Sequence, residues 1–141
     1  MNLSIYLNFD GNCREAFEFY RSVFGGEFLT IAAFSEGPED MPVADEEKDR
    51  IMHVSLPVGE SVLMGSDTST SQGPPFQEGN NFSVSCHPQT KEEVDRYFAA
   101  MSEGGMVVMP PEDQFWGSYF GMCVDKFGVS WQFNCDLLQQ E

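Results

Sequence analysis

The chain has 141 residues, 41% hydrophobic and 13% aromatic, which suits one packed domain, 1–141, and leaves two independent domains marginal. Seven Lys and Arg stand against 23 Asp and Glu, a formal net charge of -16; that sign repels phosphate backbones, excludes nucleic acid as a partner and favours a cationic ligand, although acidity more often serves only to keep proteins soluble and apart. No run approaches the ~20 apolar residues of a membrane span and no basic region precedes an apolar stretch at the start, so the expectation is a cytoplasmic protein with no membrane partner.

Leu3 to Phe9 alternates as a first strand, and Asp10-Gly11-Asn12 supplies turn residues and an N-cap candidate. A helix follows from Cys13 to Phe24, where Ala16, Phe19, Tyr20, Val23 and Phe24 recur at helical spacing. Gly25-Gly26 ends it, since glycine accepts the left-handed conformation at a helix C-terminus. Glu27 to Phe34 reads as a second strand, Ser35 to Asp49 as an acidic loop, and Ile51–Val58 with Ser61–Ser66 as a hairpin turning at Gly59-Glu60. Asp67 to Asn81, rich in Ser, Thr, Gly and Pro, is a linker.

The order then repeats: a strand at Phe82–Cys86, a helix at Lys91–Glu103, a Gly104-Gly105 stop, a strand at Met106–Met109, and a closing hairpin from Ser118 to Cys135. Superimposing the two glycine stops lays the helix 13–24 over 92–103. Superimposing the hairpins on Gly59 and Gly128 lays 58–67 over 127–136, with a glycine, a serine and an aspartate coinciding. The two superpositions disagree by about ten positions, so the first copy carries an insertion of about that size in the acidic loop. Module one is therefore 1–67, the linker 68–81 and module two 82–136. Each copy has an apolar sheet face that it cannot bury alone, and two sheets curling around a shared interior would leave a cleft.

Tyr6-Leu7-Asn8-Phe9-Asp10-Gly11-Asn12-Cys13-Arg14-Glu15-Ala16-Phe17-Glu18-Phe19-Tyr20 with Val23-Phe24-Gly25-Gly26, Met52-His53, Phe115-Trp116-Gly117 with Phe120-Gly121, and Asp125 through Asn134 resemble the PhnB-like branch of the vicinal oxygen chelate (glyoxalase/bleomycin resistance protein/dioxygenase) superfamily. The resemblance implies an α+β fold: paired βαβββ modules forming a curved, mixed eight-stranded sheet with a cleft, helices packed outside, usually as a homodimer. Some relatives of the branch carry a demethylubiquinone-methyltransferase label. The sequence does not support methyl transfer, because it has no glycine-rich strand-to-helix turn of the dinucleotide type.

Metalloenzymes of the superfamily place His, Gln or Glu on the first and last strands of each module, pointing into the cleft. Carried onto this chain, the resemblance puts Ile5, Leu63, a position near Asn81, and Gln132 at those places. Such a set does not suit a divalent ion, so no metal and no other cofactor is expected.

Four cysteines without a C-x-x-C pair, Cys13, Cys86, Cys123 and Cys135, read as buried reduced thiols. Of the two histidines, His53 alternates with Ile51, Ser55 and Pro57 and is the candidate base, with a satisfied structural histidine as the blander reading. Cys86-His87 lacks the second ligand pair of a zinc site. Phe115, Trp116 and Tyr119, in an aromatic concentration before the closing hairpin, together with Gln132, Asp67 and Asn134, are the candidate ligand-binding residues. The leading expectation is a metal-independent protein that binds a small organic, cationic ligand in an aromatic-lined cleft. The rivals are a glyoxalase-like metal-dependent lyase or transferase using His53, and a dimer serving mainly as an interaction protein.

Overall fold

Eight strands and two helices follow one another in the expected order in the computed structural model, which describes residues 1–71 and 73–137. The chain divides into two compact units between Gln77 and Glu78. Module one contains β1 (Ile5–Phe9), α1 (Cys13–Phe24), β2 (Thr30–Ala33), β3 (Ile51–Val58) and β4 (Ser61–Asp67), in the sheet order β1-β4-β3-β2. Module two contains β5 (Val84–Cys86), α2 (Lys91–Ser102), β6 (Met106–Asp113), β7 (Ser118–Val124) and β8 (Ser130–Asp136), in the order β5-β8-β7-β6. In each module the first strand pairs parallel with the last and the other pairings are antiparallel. The fold is α+β, its eight strands divided between two mixed hydrogen-bonded sheets of four. The expected linker, 68–81, includes residue 72, which lies outside the described residues.

Helix α1 has the bounds its periodicity predicts, but its buried face is Cys13, Ala16, Phe17 and Tyr20, with Phe17 buried and the expected Phe19, Val23 and Phe24 only half-buried. The sheet beneath explains that choice. A Cβ at Gly65 of β4 would sit 2.6 Å from the Phe17 ring and 2.9 Å from the Leu7 carbonyl, so only glycine lets this ring descend onto the strands. Leu7, Phe9, Val54, Leu56 and Leu63 complete that core. Module two repeats the device: Val94, Phe98 and Met101 of α2 pack toward Trp131, Phe133 and Cys123, and a Cβ at Gly121 would crowd the Phe98 ring at 3.1 Å.

Strand β6 runs four residues past its expected end at Met109 and through Pro110-Pro111. It can do so because it is an edge strand, where a missing N–H costs no ladder bond, and because its pairing with β7 slips at Val107/Met109 and Met109/Glu112. The connection between β2 and β3 spans residues 34–50, against 114–117 between β6 and β7, which places the insertion in the acidic segment as the repeat comparison requires.

That segment is tied down. Two short 3-10 turns, Phe34–Glu36 and Asp45–Glu47, carry Glu47 inward until it is 4% exposed. Its carboxylate accepts from the Thr70 N–H at 3.1 Å, the Thr70 hydroxyl at 3.0 Å and the Ser69 hydroxyl at 3.2 Å, with Arg50 Nη1 at 3.9 Å. Burial acts to raise this carboxyl, and the hydrogen bonds from Thr70 and Ser69 with the Arg50 charge outweigh it, leaving Glu47 below the ordinary value.

The expected cap at Asn12 makes no side-chain bond. Instead Asp67, at the end of β4, accepts from the Gly11 and Cys13 N–H groups with Oδ1 at 2.8 and 3.0 Å, and from the Ile51 N–H with Oδ2 at 2.8 Å. One carboxylate thereby joins the β1–α1 turn, the helix N-terminus and the start of β3. In module two α2 is capped by its own Thr90, which accepts from the Glu93 N–H at 3.1 Å. The buried clamp there is Asp125, which accepts from the Phe127 and Val129 N–H groups and, at 2.9 Å, from the Trp131 indole.

Two outcomes follow. Asp67→Ala strands three backbone donors, two of them in buried bonds, and lowers the unfolding free energy in urea by about 3 kcal/mol or more. Because Glu47 has a depressed folded-state pKa, its contribution is complete above the ordinary carboxylate range and disappears as pH falls through that depressed value. The amide protection factors over residues 34–50, taken against the intrinsic exchange rate at each pH, are therefore high at neutral pH and fall on acidification, whereas those of Glu47→Gln are low at both; equal protection in the two proteins at neutral pH contradicts the latch.

Candidate functional site

Each sheet has one helix, so one face is covered and the other carries whatever side chains alternate away from the core. In module one the residues turned away from α1 form a cross-strand row of Tyr6, Met64, Ser55 and Thr30, followed by Asn8 beside Ser66 and His53 beside Ala32. Tyr6, on the edge strand, reaches across β4 to His53 on β3: its hydroxyl lies 3.1 Å from Nδ1 and the rings stack with centroids 5.7 Å apart. His53 therefore occupies the helix-free face, as its alternation with Ser55 indicates.

In module two the same face carries Ser85, Gln132 and Met122 in one row and Asn134, Phe120 and Glu112 in the next. The turn between β6 and β7 holds Phe115, 98% exposed, and Trp116, 51% exposed. Gly117 closes that turn with φ 93°, its N–H donating to the Gln114 carbonyl and its own carbonyl accepting from the Leu137 N–H. Trp116 meets Phe115 edge-on at 5.2 Å and Phe120 at 6.1 Å. Trp116, Phe120, Asn134 and Gln132 thus belong to one surface.

Two expected ligand-binding residues lie elsewhere. Tyr119 pairs with buried Cys135 on the helix side; its hydroxyl donates to Asp95 at 2.6 Å and its ring lies under Lys91, which itself bonds Asp113 at 2.8 Å. The hydrogen bond to the Asp95 carboxylate, reinforced by burial and by the charges of Asp95, Asp113 and Glu112, pushes the phenol up to about 12. Tyr119 anchors α2. Asp67 is 4% exposed and already engaged with three backbone donors, which makes it a structural clamp rather than a ligand contact.

The metal positions also move. Burial along β4 begins exposed, intermediate, buried, whereas along β8 it begins intermediate, buried, intermediate, so aligning Gly59 with Gly128 sets the two strands one residue out of phase. A one-residue slip sends every side chain to the opposite face. Ile5 and Leu63 are paired in register, and Leu63 is 4% exposed on the helix side with Leu56. Next to Leu63 on the helix-free face is Met64, whose β1 neighbour is Tyr6, and the β5 neighbour of Gln132 is Ser85 rather than a residue near Asn81.

Neither the phenol and thioether on the face of module one nor, separately, the hydroxyl and amide on the face of module two supply the carboxylates or imidazoles that a divalent ion needs. Among the described residues no three His, Cys, Asp or Glu side chains gather as ligands. His87 is exposed and bonds Ser85 Oγ at 3.2 Å. Burial raises the thiols of Cys13, Cys86 and Cys123, the last two to about 12, so none is an activated nucleophile.

Residue phase has a direct measure. Leu63→Ala opens a cavity under α1 and costs about 2–5 kcal/mol in denaturant unfolding, while its neighbour Met64→Ala on the helix-free face costs about 1 kcal/mol or less; the reverse ranking would restore the Ile5 and Leu63 assignment.

Comparison with known proteins agrees with this architecture. Residues 1–134 match the family model described as 3-demethylubiquinone-9 3-methyltransferase. Protein YjdN of Escherichia coli (strain K12) is 32% identical over 142 residues, covering 95% of each chain. The crystal structure of PA1353 from Pseudomonas aeruginosa shares 42% identity over 96% of this chain and 98% of that one, with a TM-score of 0.86. The PhnB protein from Bacillus cereus shares 26% over 96% and 99%, with a TM-score of 0.75.

Proposed function

Because the chain belongs to the PhnB-like family described as 3-demethylubiquinone-9 3-methyltransferase and shares its fold with a glyoxalase/bleomycin resistance protein/dioxygenase family enzyme, we propose that it binds a small, cationic aromatic molecule without a resident metal. The observation that carries this reading is the surface made by Trp116, Phe120, Gln132 and Asn134. An indole that is half exposed, braced edge-on by a second ring and mounted on a hydrogen-bonded turn is an aromatic anchor held in place before the ligand arrives. Its π face attracts a cation through the ring quadrupole, and the net charge of -16 raises the local concentration of cations around the whole molecule. The amides of Gln132 and Asn134 supply donors and acceptors beside it.

Methyl transfer, which the family description names, is not part of this reading. The strand-to-helix turns, Asp10-Gly11-Asn12 and His87-Pro88-Gln89-Thr90, contain a single glycine between them and lack a glycine-rich phosphate-type loop. No cofactor is included, and metal-assisted lyase chemistry at His53 is disfavoured by the Tyr6 phenol and the Met64 thioether that share its face. A homodimer and a cytoplasmic location complete the proposal. The first is supported by the apolar edge Met106–Met109, whose four side chains are 37–58% exposed, and the second by four free cysteines. No helix among the described residues is long and apolar enough to cross a membrane.

Trp131 is 1% exposed, so quenching by a bound dye reports chiefly on Trp116. Acridine orange should quench the tryptophan emission saturably and raise the melting temperature, and Trp116→Ala should weaken its binding about tenfold, roughly 1.4 kcal/mol. Unchanged affinity in Trp116→Ala, or equal binding of an anionic dye of the same size, rejects the reading; stabilisation by divalent metals instead favours the lyase.

A further inference from the structure

We infer that the helix-free face of module one is a recognition site for a neutral carbonyl oxygen, with the His53 Nε2–H as donor and Tyr6 as the positioning residue that fixes the imidazole. This stands on module one alone and does not rest on the Trp116 reading.

Tyr6 and His53 lie on strands that are not neighbours, β1 and β3, with β4 between them. The phenol bridges that gap with a 3.1 Å contact to Nδ1 and rings inclined by 28°, so both the distance and the plane of the imidazole are constrained. A neutral imidazole carries one N–H, and the nitrogen that holds it is set by the bond the other nitrogen makes. In this assignment the phenol O–H donates to Nδ1, which accepts. The proton of His53 then resides on Nε2, and among the described residues that nitrogen has no hydrogen-bond partner.

The rest of the face selects the ligand class. Ser55 and Thr30 continue the Tyr6 row, Asn8 and Ser66 the next, and no Asp, Glu, Lys or Arg is among the residues placed on this surface. An N–H donor calls for an oxygen acceptor. A carboxylate or phosphate would meet no cation here while entering the field of a chain with net charge -16. A ketone, amide or quinone oxygen accepts the same bond without that repulsion, and an aryl group attached to it has the stacked rings of Tyr6 and His53 to lie against.

The chain has only two histidines, so imidazole NMR of the ¹⁵N-labelled protein at pH 8 resolves both, with His87→Gln assigning the spectrum. Expected is the Nε2–H tautomer for His53, and a saturable movement of its ring signals, not those of His87, on titration with acetophenone. Tyr6→Phe, which keeps the ring, mixes the tautomers and weakens acetophenone at least about fivefold, His53→Phe abolishes its binding, and benzoate binds more weakly than acetophenone. Trp116→Ala leaves the His53 tautomer as it was, which separates this site from the other. An Nδ1–H tautomer in the parent protein, an unchanged tautomer and affinity in folded Tyr6→Phe, or benzoate binding as tightly as acetophenone overturns the assignment.

Discussion

One helix can cover only one face of a four-stranded sheet, and most of the chemistry of this protein follows from that constraint. In each module a phenylalanine ring of the helix, Phe17 or Phe98, comes down on a glycine of the sheet, Gly65 or Gly121, so the approach is close and the covered face is dry. Side chains on a strand alternate, and once a single residue is assigned to the core the destination of all its neighbours is set. Leu63 goes under the helix and Met64 does not; Phe133 goes under and Gln132 does not. The candidate sites are what remains when the core has taken its half of every strand.

The modules reach the same architecture with different anchors. Module one hands its helix cap to Asp67, a residue 54 to 56 positions away from the N–H groups of Cys13 and Gly11, and so couples helix, turn and two strands through one carboxylate. Module two caps its helix locally with Thr90 and spends its buried carboxylate, Asp125, on the β7–β8 turn and the Trp131 indole. The long β2–β3 connection in module one needs an extra tie, supplied by Glu47. Without its partners such a buried acid would be neutralised; with hydroxyl and N–H donors from Ser69 and Thr70 it stays ionised and holds the acidic segment against the chain that follows β4.

Much of this was legible in the residues. Helix α1 is bounded by a glycine pair and by a clear apolar period, the element order repeats, and the insertion falls where two superpositions disagree. What failed was phase. The Gly59 and Gly128 turns look alike in sequence, but one joins Val58 to Ser61 across two residues and the other joins Val124 to Ser130 across five, so a match on glycine carries a one-residue error into the strand. Periodicity alone cannot detect it, because Val62, Leu63 and Met64 are all apolar. Similarly, Asp67 reads as an unengaged polar group because its partners are distant in sequence, and Pro110-Pro111 reads as a stop unless β6 is known to be an edge.

The positions at which the sequence resemblance led us to expect metal ligands are the ones most changed by correcting the phase, and their new occupants explain more than the old. An isoleucine and a leucine would merely be absent ligands. Tyr6 and Met64 in module one, and Ser85 and Gln132 in module two, are instead side chains that can hydrogen-bond or pack, which suits the recognition of a neutral group proposed for the face of module one. Such interactions depend on desolvation and geometry rather than on field, whereas the cation binding proposed for the Trp116 surface would draw on the acidic charge of the whole chain. The charge acts over a Debye length and is weakened by salt, while a hydrogen bond from His53 is not. Ionic strength therefore acts differently on the two faces: a cation held at Trp116 loses affinity as salt rises, and a carbonyl held at His53 does not.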